Sequence, residues 1–98
     1  MVIGTLRLDL LLGDVASLKQ KRSVVRPVMA DLQRRYAVAV AETGDQDLYR
    51  RAEIGVASVS GDFKHCREVL DACEREVAAR PELELLSARR RIVDEEDL

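Results

Sequence analysis

Residues 2–12 read Val2-Ile3-Gly4-Thr5-Leu6-Arg7-Leu8-Asp9-Leu10-Leu11-Leu12. With a period of two, Val2, Leu6, Leu8, Leu10 and Leu12 share one side, and Ile3, Thr5, Arg7, Asp9 and Leu11 share the other. An apolar side backed by a mixed one is the pattern of a strand buried on a single face. Gly13-Asp14 ends the run. Arg7 and Asp9 also disqualify it as a membrane span, which needs about 20 apolar residues. The stretch lacks the pattern of a secretory signal, so a cytoplasmic protein with no membrane partner is expected.

Downstream of this strand the period changes. Ser17-Leu18-Lys19-Gln20 has the spacing of a capping box, a hydroxyl followed three residues later by an amide. Val25, Val28, Met29 and Leu32 then recur at helical spacing, and Arg34 and Arg35 fall where cations suit the end of a helix. Pro27 admits two solutions: a separate turn over 18–22 with Ser23 capping the main helix, or one helix running through the proline with a kink. Residues 36–42 read as a second strand, 43–47 as a turn and 51–60 as a third strand. Gly55 inside the third strand signals a bulge or the close approach of another backbone. Asp62 is placed to cap a second helix whose stripe is Phe63, Cys66, Leu70, Cys73 and Val77, and Pro81 stops it. A fourth strand starts at Leu83 and passes through Arg89-Arg90-Arg91-Ile92-Val93.

Strand–helix–strand–strand–helix–strand, with right-handed crossovers, gives an α+β fold: a ferredoxin-like βαββαβ sandwich. Its four-stranded antiparallel sheet carries both helices on one face. One domain is expected over residues 1–93, followed by an acidic tail at 94–98. The chain has 98 residues, too few for two good cores. Aromatics make up 3% of it, so the core must be aliphatic. Cys66 and Cys73, seven residues apart on a helix, are separated by about 10.5 Å along its axis, beyond disulfide reach. They read as reduced and buried.

The fold leaves one sheet face bare. Ile3, Thr5, Leu11, Ala57 and Val59 are the candidates for it, and an exposed aliphatic patch points to a homodimer or a partner surface.

Much chemistry is excluded. The sequence contains no Asn and lacks the Gly-rich phosphate-cradling loop of an acylphosphatase. It lacks the Cys-x-x-Cys loop of a copper chaperone, a Walker loop, a dinucleotide fingerprint, and aromatics on the first and third strands of the kind that stack RNA bases. His65 is the single histidine and falls beside the core stripe rather than with the cysteines, so four zinc ligands cannot be gathered. No catalytic residue, cofactor or metal is expected. Glu42, Asp45, Gln46 and Asp47 form the one polar cluster that a small ligand or hard cation could use.

Binding chemistry is better represented. Thirteen of the sixteen cationic residues are Arg, suited to bidentate contacts with phosphate. Net charge is −2 but becomes +2 once the four acids at 94–97 are set aside, so any nucleic-acid site must be local. Lys19, Lys21, Arg22 and Arg26 form the strongest cluster, with Arg50 and Arg51 at the start of the third strand and Arg89–Arg91 as a second run.

The segments Ser17-Leu18-Lys19-Gln20-Lys21-Arg22, Val40-Ala41-Glu42, Gln46-Asp47 and Arg51-Ala52-Glu53-Ile54-Gly55-Val56-Ala57 resemble, in this order, the YlxP-like family of bacterial domains of unknown function. The resemblance spans nearly the whole chain and implies a ferredoxin-like fold. Genes of that family commonly lie among those for transcription elongation, translation initiation and ribosome maturation, which implies a link to RNA. No catalytic residues are established for the family, so the resemblance transfers none. The expectation is a non-enzymatic accessory protein that binds RNA or a ribosomal particle through Lys19, Lys21, Arg22, Arg26, Arg50 and Arg51. The alternatives are a protein–protein module that dimerises or docks through the open sheet face and, last, an enzyme or a small-ligand or metal binder using Glu42, Asp45, Gln46 and Asp47.

Overall fold

The computed structural model describes residues 1–98. Its elements are β1 (Val2–Leu12), α1 (Leu18–Tyr36), β2 (Ala39–Gly44), β3 (Arg51–Ser60), α2 (Phe63–Ala78) and β4 (Leu83–Asp94). The sheet order is β2-β3-β1-β4 with every neighbouring pair antiparallel. This is the ferredoxin-like arrangement expected from the sequence, and β1 and β3 span the residues assigned to them.

Local chemistry sets the helix boundaries. Ser17 Oγ accepts the Gln20 N–H at 3.1 Å, and Gln20 Oε1 reaches back to accept the Ala16 N–H at 2.7 Å. α1 then runs unbroken through Pro27, the second of the two solutions. Proline has no N–H to offer the Ser23 carbonyl one turn back, while the Ser23 hydroxyl donates to the Gln20 carbonyl at 2.6 Å. The helix stops at Ala37, which adopts the left-handed conformation at φ 48°. Tyr36, expected to open the second strand, closes the helix instead. Its hydroxyl donates to Glu76 Oε1 at 3.3 Å, and Arg35 Nη1 donates to the same oxygen at 2.7 Å. These two bonds tie the end of α1 to α2, and β2 starts at Ala39 rather than at 36.

α2 begins at Asp62, whose Oδ1 accepts the His65 N–H at 2.7 Å. Cys66, Leu70, Cys73 and Val77 are wholly buried against the sheet. Phe63 is not: at the first helical position it lies exposed at the end of the stripe. Both cysteines are free.

The core is a single cluster in which Val2, Leu6, Leu8, Leu10 and Leu12 of β1 meet Val25, Val28 and Leu32 of α1 and the α2 stripe. Gly4 permits this closeness. A Cβ there would collide with Cys66 Sγ and come within 2.9 Å of Leu70 Cδ1. Gly55 answers to a close approach as well, made by a side chain: a Cβ would stand 2.6 Å from Thr43 Cγ2, where the β2–β3 register shifts.

At the far end, Asp94 still pairs with Val2 and belongs to β4. Glu95–Asp97 form one 3₁₀ turn, capped by the Asp94 carboxylate, and the Glu95 N–H donates to the Met1 carbonyl at 2.9 Å. The acidic residues beyond 93 are thus anchored to the end of the sheet.

Candidate nucleic-acid interface

The first thirteen residues of α1, Leu18 to Ala30, carry four cations and no acid. Cations at this end oppose the helix dipole, whose N-terminus is itself positive. Lys19, Arg22 and Arg26 are exposed, lie within one strip at steps of three and four, and have no carboxylate within 4.0 Å. A local positive field therefore stands unneutralised on this helix.

Lys21 does not share in it, and its assignment to the binding cluster is corrected here. Its side chain is only 3% exposed. Nζ donates to the Asp45 carbonyl at 2.5 Å and lies 3.0 Å from Glu42 Oε2. That second contact is out of line for a hydrogen bond, so the buried oxygen is held by charge without a directed donor. Lys21 pins α1 to the β2–β3 connection and is unavailable to an external phosphate.

The same contacts describe the Glu42–Asp47 cluster. Glu42 and the Asp45 carbonyl face Lys21, and Gln46 Nε2 donates to the Glu42 carbonyl at 3.1 Å. Glu42, the Asp45 carbonyl and Gln46 are thus engaged within the fold, while the Asp45 and Asp47 carboxylates stay exposed, and no group of three or more His, Cys, Asp or Glu side chains is placed to hold a metal ion.

Arg50 is exposed and anchored: its Nε donates to the carbonyls of Gly13 at 3.1 Å and Leu12 at 3.4 Å. Arg51 pairs in register with Leu11 and alternates with buried Ala52, so it rises from the sheet face away from the helices. The six cations named from the sequence thus divide into an α1 strip, a buried tie and two positions at the start of β3.

The open face holds Ile3, Thr5, Leu11, Ala57 and Val59 together, as their alternation required, with Val59 67% exposed. It also holds cations: Arg7, which the alternation of β1 already put on this side, and Arg89 and Arg91, which sequence reasoning did not place there. Arg7 stands opposite Arg89 in the β1–β4 register, and Arg91 opposite Thr5. Arg7 has Glu53 at 3.8 Å, whereas Arg89 and Arg91 have no acid within 4.0 Å. The strand pleat splits the Arg89–Arg91 run, because Arg90 turns to the helix side and binds Asp71 at 2.7 Å and Glu74 at 3.3 Å. The alternation in the sequence carried this signal, and pairing Arg89 with the face of Arg7 required only the register. Small residues at 39, 41, 55 and 57 leave a shallow groove of about 480 Å³ beside Arg7 and Glu53. Thr43 Oγ1 already donates to Glu53 at 2.6 Å there.

No helix is long and apolar enough to cross a membrane. A family described as "Protein of unknown function (DUF503)" matches residues 3–90. The chain is 29% identical over 83 residues to the "Uncharacterized protein YlxP" of Bacillus subtilis (strain 168), covering 85% of this chain and 90% of that one. Its backbone is similar to the solution NMR structure of a de novo designed protein with ferredoxin fold, at a TM-score of 0.56 and 14% identity, across 97% of this chain and 88% of the designed one.

Proposed function

The chain belongs to the DUF503 family, a family without an assigned activity, and from that premise we propose that it is a non-enzymatic accessory protein of the cytoplasm that binds RNA or a ribosomal particle. The observation that carries this reading is the strip of Lys19, Arg22 and Arg26 on the acid-free half of α1. Helix-terminal cations without counter-charges weaken the isolated fold slightly. A polyanion brought to them releases its counterions and turns the same charges into affinity. Phosphates supply the binding, and the shape of the RNA supplies the specificity, because this strip holds no aromatic side chain on which bases could stack.

The test is sedimentation with ribosomal subunits on sucrose gradients at low and high salt, followed by fluorescence anisotropy on ribosomal RNA fragments. Migration with one subunit that disappears at high salt is the expected result. Arg22→Glu/Arg26→Glu should weaken RNA binding at least tenfold and flatten the salt slope by about 1–2. A wild-type protein that stays at the top of the gradient in both salts and leaves RNA anisotropy unchanged overturns the proposal. Intact binding by the doubly reversed variant overturns the site.

A further inference from the structure

Charge and apolarity are sorted along the open face in the direction of the strands. At one level Val59, Ile3 and Val93 are register partners and form an apolar row across β3, β1 and β4. On one side of that row β4 presents Arg91 and then Arg89, neither of which has an acid within 4.0 Å. On the other side the chain turns through Asp94, Glu95, Glu96 and Asp97, four acids against the single Met1 ammonium, which stands 3.5 Å from the half-exposed Glu95 carboxylate. The sequence is therefore cation, apolar row, anion. A surface of this kind complements itself when turned end over end.

We propose that this end of the open face is an interface between two copies of the chain, related by a twofold axis that runs across the strands at the Val59–Ile3–Val93 row. A closed dimer needs a patch that matches itself under such an axis. The rotation stacks the apolar row on its own copy and covers Val59. It reverses strand direction, so a residue two positions before Val93 meets one two positions after it. Arg91 then faces Glu95 of the second copy, and Arg89 faces Asp97, with a strand advance of about 6.7 Å per two residues. The 3₁₀ turn advances less per residue, a shortfall that a long Arg side chain spans. Arg89, which stands opposite Arg7 and has no acid of its own, gains one from the second copy, easing a like-charge cross-strand pair. This inference goes beyond the RNA reading and does not depend on it, because α1 lies on the opposite face of the sheet.

The experiment is multi-angle light scattering at micromolar concentration on the full chain and two charge-reversed variants, each checked for folding by circular dichroism. Wild type is expected to be a dimer. Arg89→Glu/Arg91→Glu makes both facing segments acidic, and Glu95→Arg/Asp97→Arg makes both basic. Each variant alone should dissociate at least tenfold more readily, and an equimolar mixture should restore the dimer as a heterodimer. Substituting the exposed turn gives a variant that folds even if the β4 reversal does not. A monomeric wild type overturns the proposal, and so does a dimer that survives either reversal. Two monomeric variants that fail to associate when mixed overturn the charge pairing.

Discussion

Lys21 Nζ stands 3.0 Å from Glu42 Oε2, with the lysine side chain 3% exposed and the glutamate 26%. The pair joins the first turns of α1 to the end of β2 across 21 residues of sequence. Lys21→Met keeps the apolar stem and removes the charge, leaving the Asp45 carbonyl without its donor and the Glu42 carboxylate without its counter-charge. The expected loss is about 2–3 kcal/mol, the cost of stranding groups bonded to a charge. Urea denaturation measures it, and Glu42→Gln in the same background should recover part of it. An unchanged midpoint would show that the tie contributes nothing. RNA affinity of the folded variant should equal that of wild type, because Lys21 does not reach the surface.

Gly4 sets the distance between β1 and α2. Gly4→Ala drives a methyl into Cys66 Sγ and Leu70, and overpacking of this kind costs about 1–3 kcal/mol. Cys66→Ala removes the atom struck first, so the double variant should regain stability relative to Gly4→Ala alone. If the second change adds to the loss, the contact is not the cause.

Ala37 sits at φ 48° at the end of α1, where a Cβ crowds its own carbonyl. Ala37→Gly should raise stability by about 0.5–1 kcal/mol. A lower melting temperature would refute this.

Two titrations tie the stability of the fold to pH. Burial, then the nearby Glu76 carboxylate, pushes the Cys73 thiol up to about 11 from an ordinary 9.0. The neutral thiol is the form the fold accepts, so between pH 9 and 11 the unfolded chain sheds its proton first and stability falls, by about 2 kcal/mol in all. Cys73→Ala should flatten that alkaline limb, and native Cys73 should resist alkylation at pH 8. At the acid end, the Arg80 guanidinium hydrogen-bonded to Asp31 holds its carboxyl below the usual 3.8, against the opposing effect of its partial burial. The contribution of that ion pair is full above pH 3.8 and is lost as pH falls through the lower native value. Asp31→Asn should be less stable at neutral pH and less sensitive to acid, as read from urea midpoints across pH.

Much of this was legible before the fold was known. The alternation in β1 and β3 and the stripe of α2 are local patterns, and local patterns survive folding. The burial of Lys21 was legible too: it stands four residues before Val25 and shares the stripe of Val25, Val28 and Leu32, although its charge argued for the surface. The start of β2 was not. Tyr36 has strand propensity, and the bond that keeps it helical comes from Glu76, 40 residues away. The Arg35–Glu76, Arg80–Asp31 and Arg90–Asp71 pairs likewise join residues that no spacing rule connects.

The position of β1 in the middle of the sheet also governs how the molecule is made. On the ribosome this strand emerges ahead of its partners β3 and β4, which follow only at residues 51 and 83. Until then β1 has no partner for its backbone hydrogen bonds, and α1 alone is at hand to cover Leu6, Leu8, Leu10 and Leu12. Pairings so distant in sequence close late and slowly, so the nascent chain cannot lay down its sheet piece by piece. Closing β1 on both sides waits for β4 to clear the exit tunnel, and until then the free edge of the leucine strand is a segment a chaperone would hold.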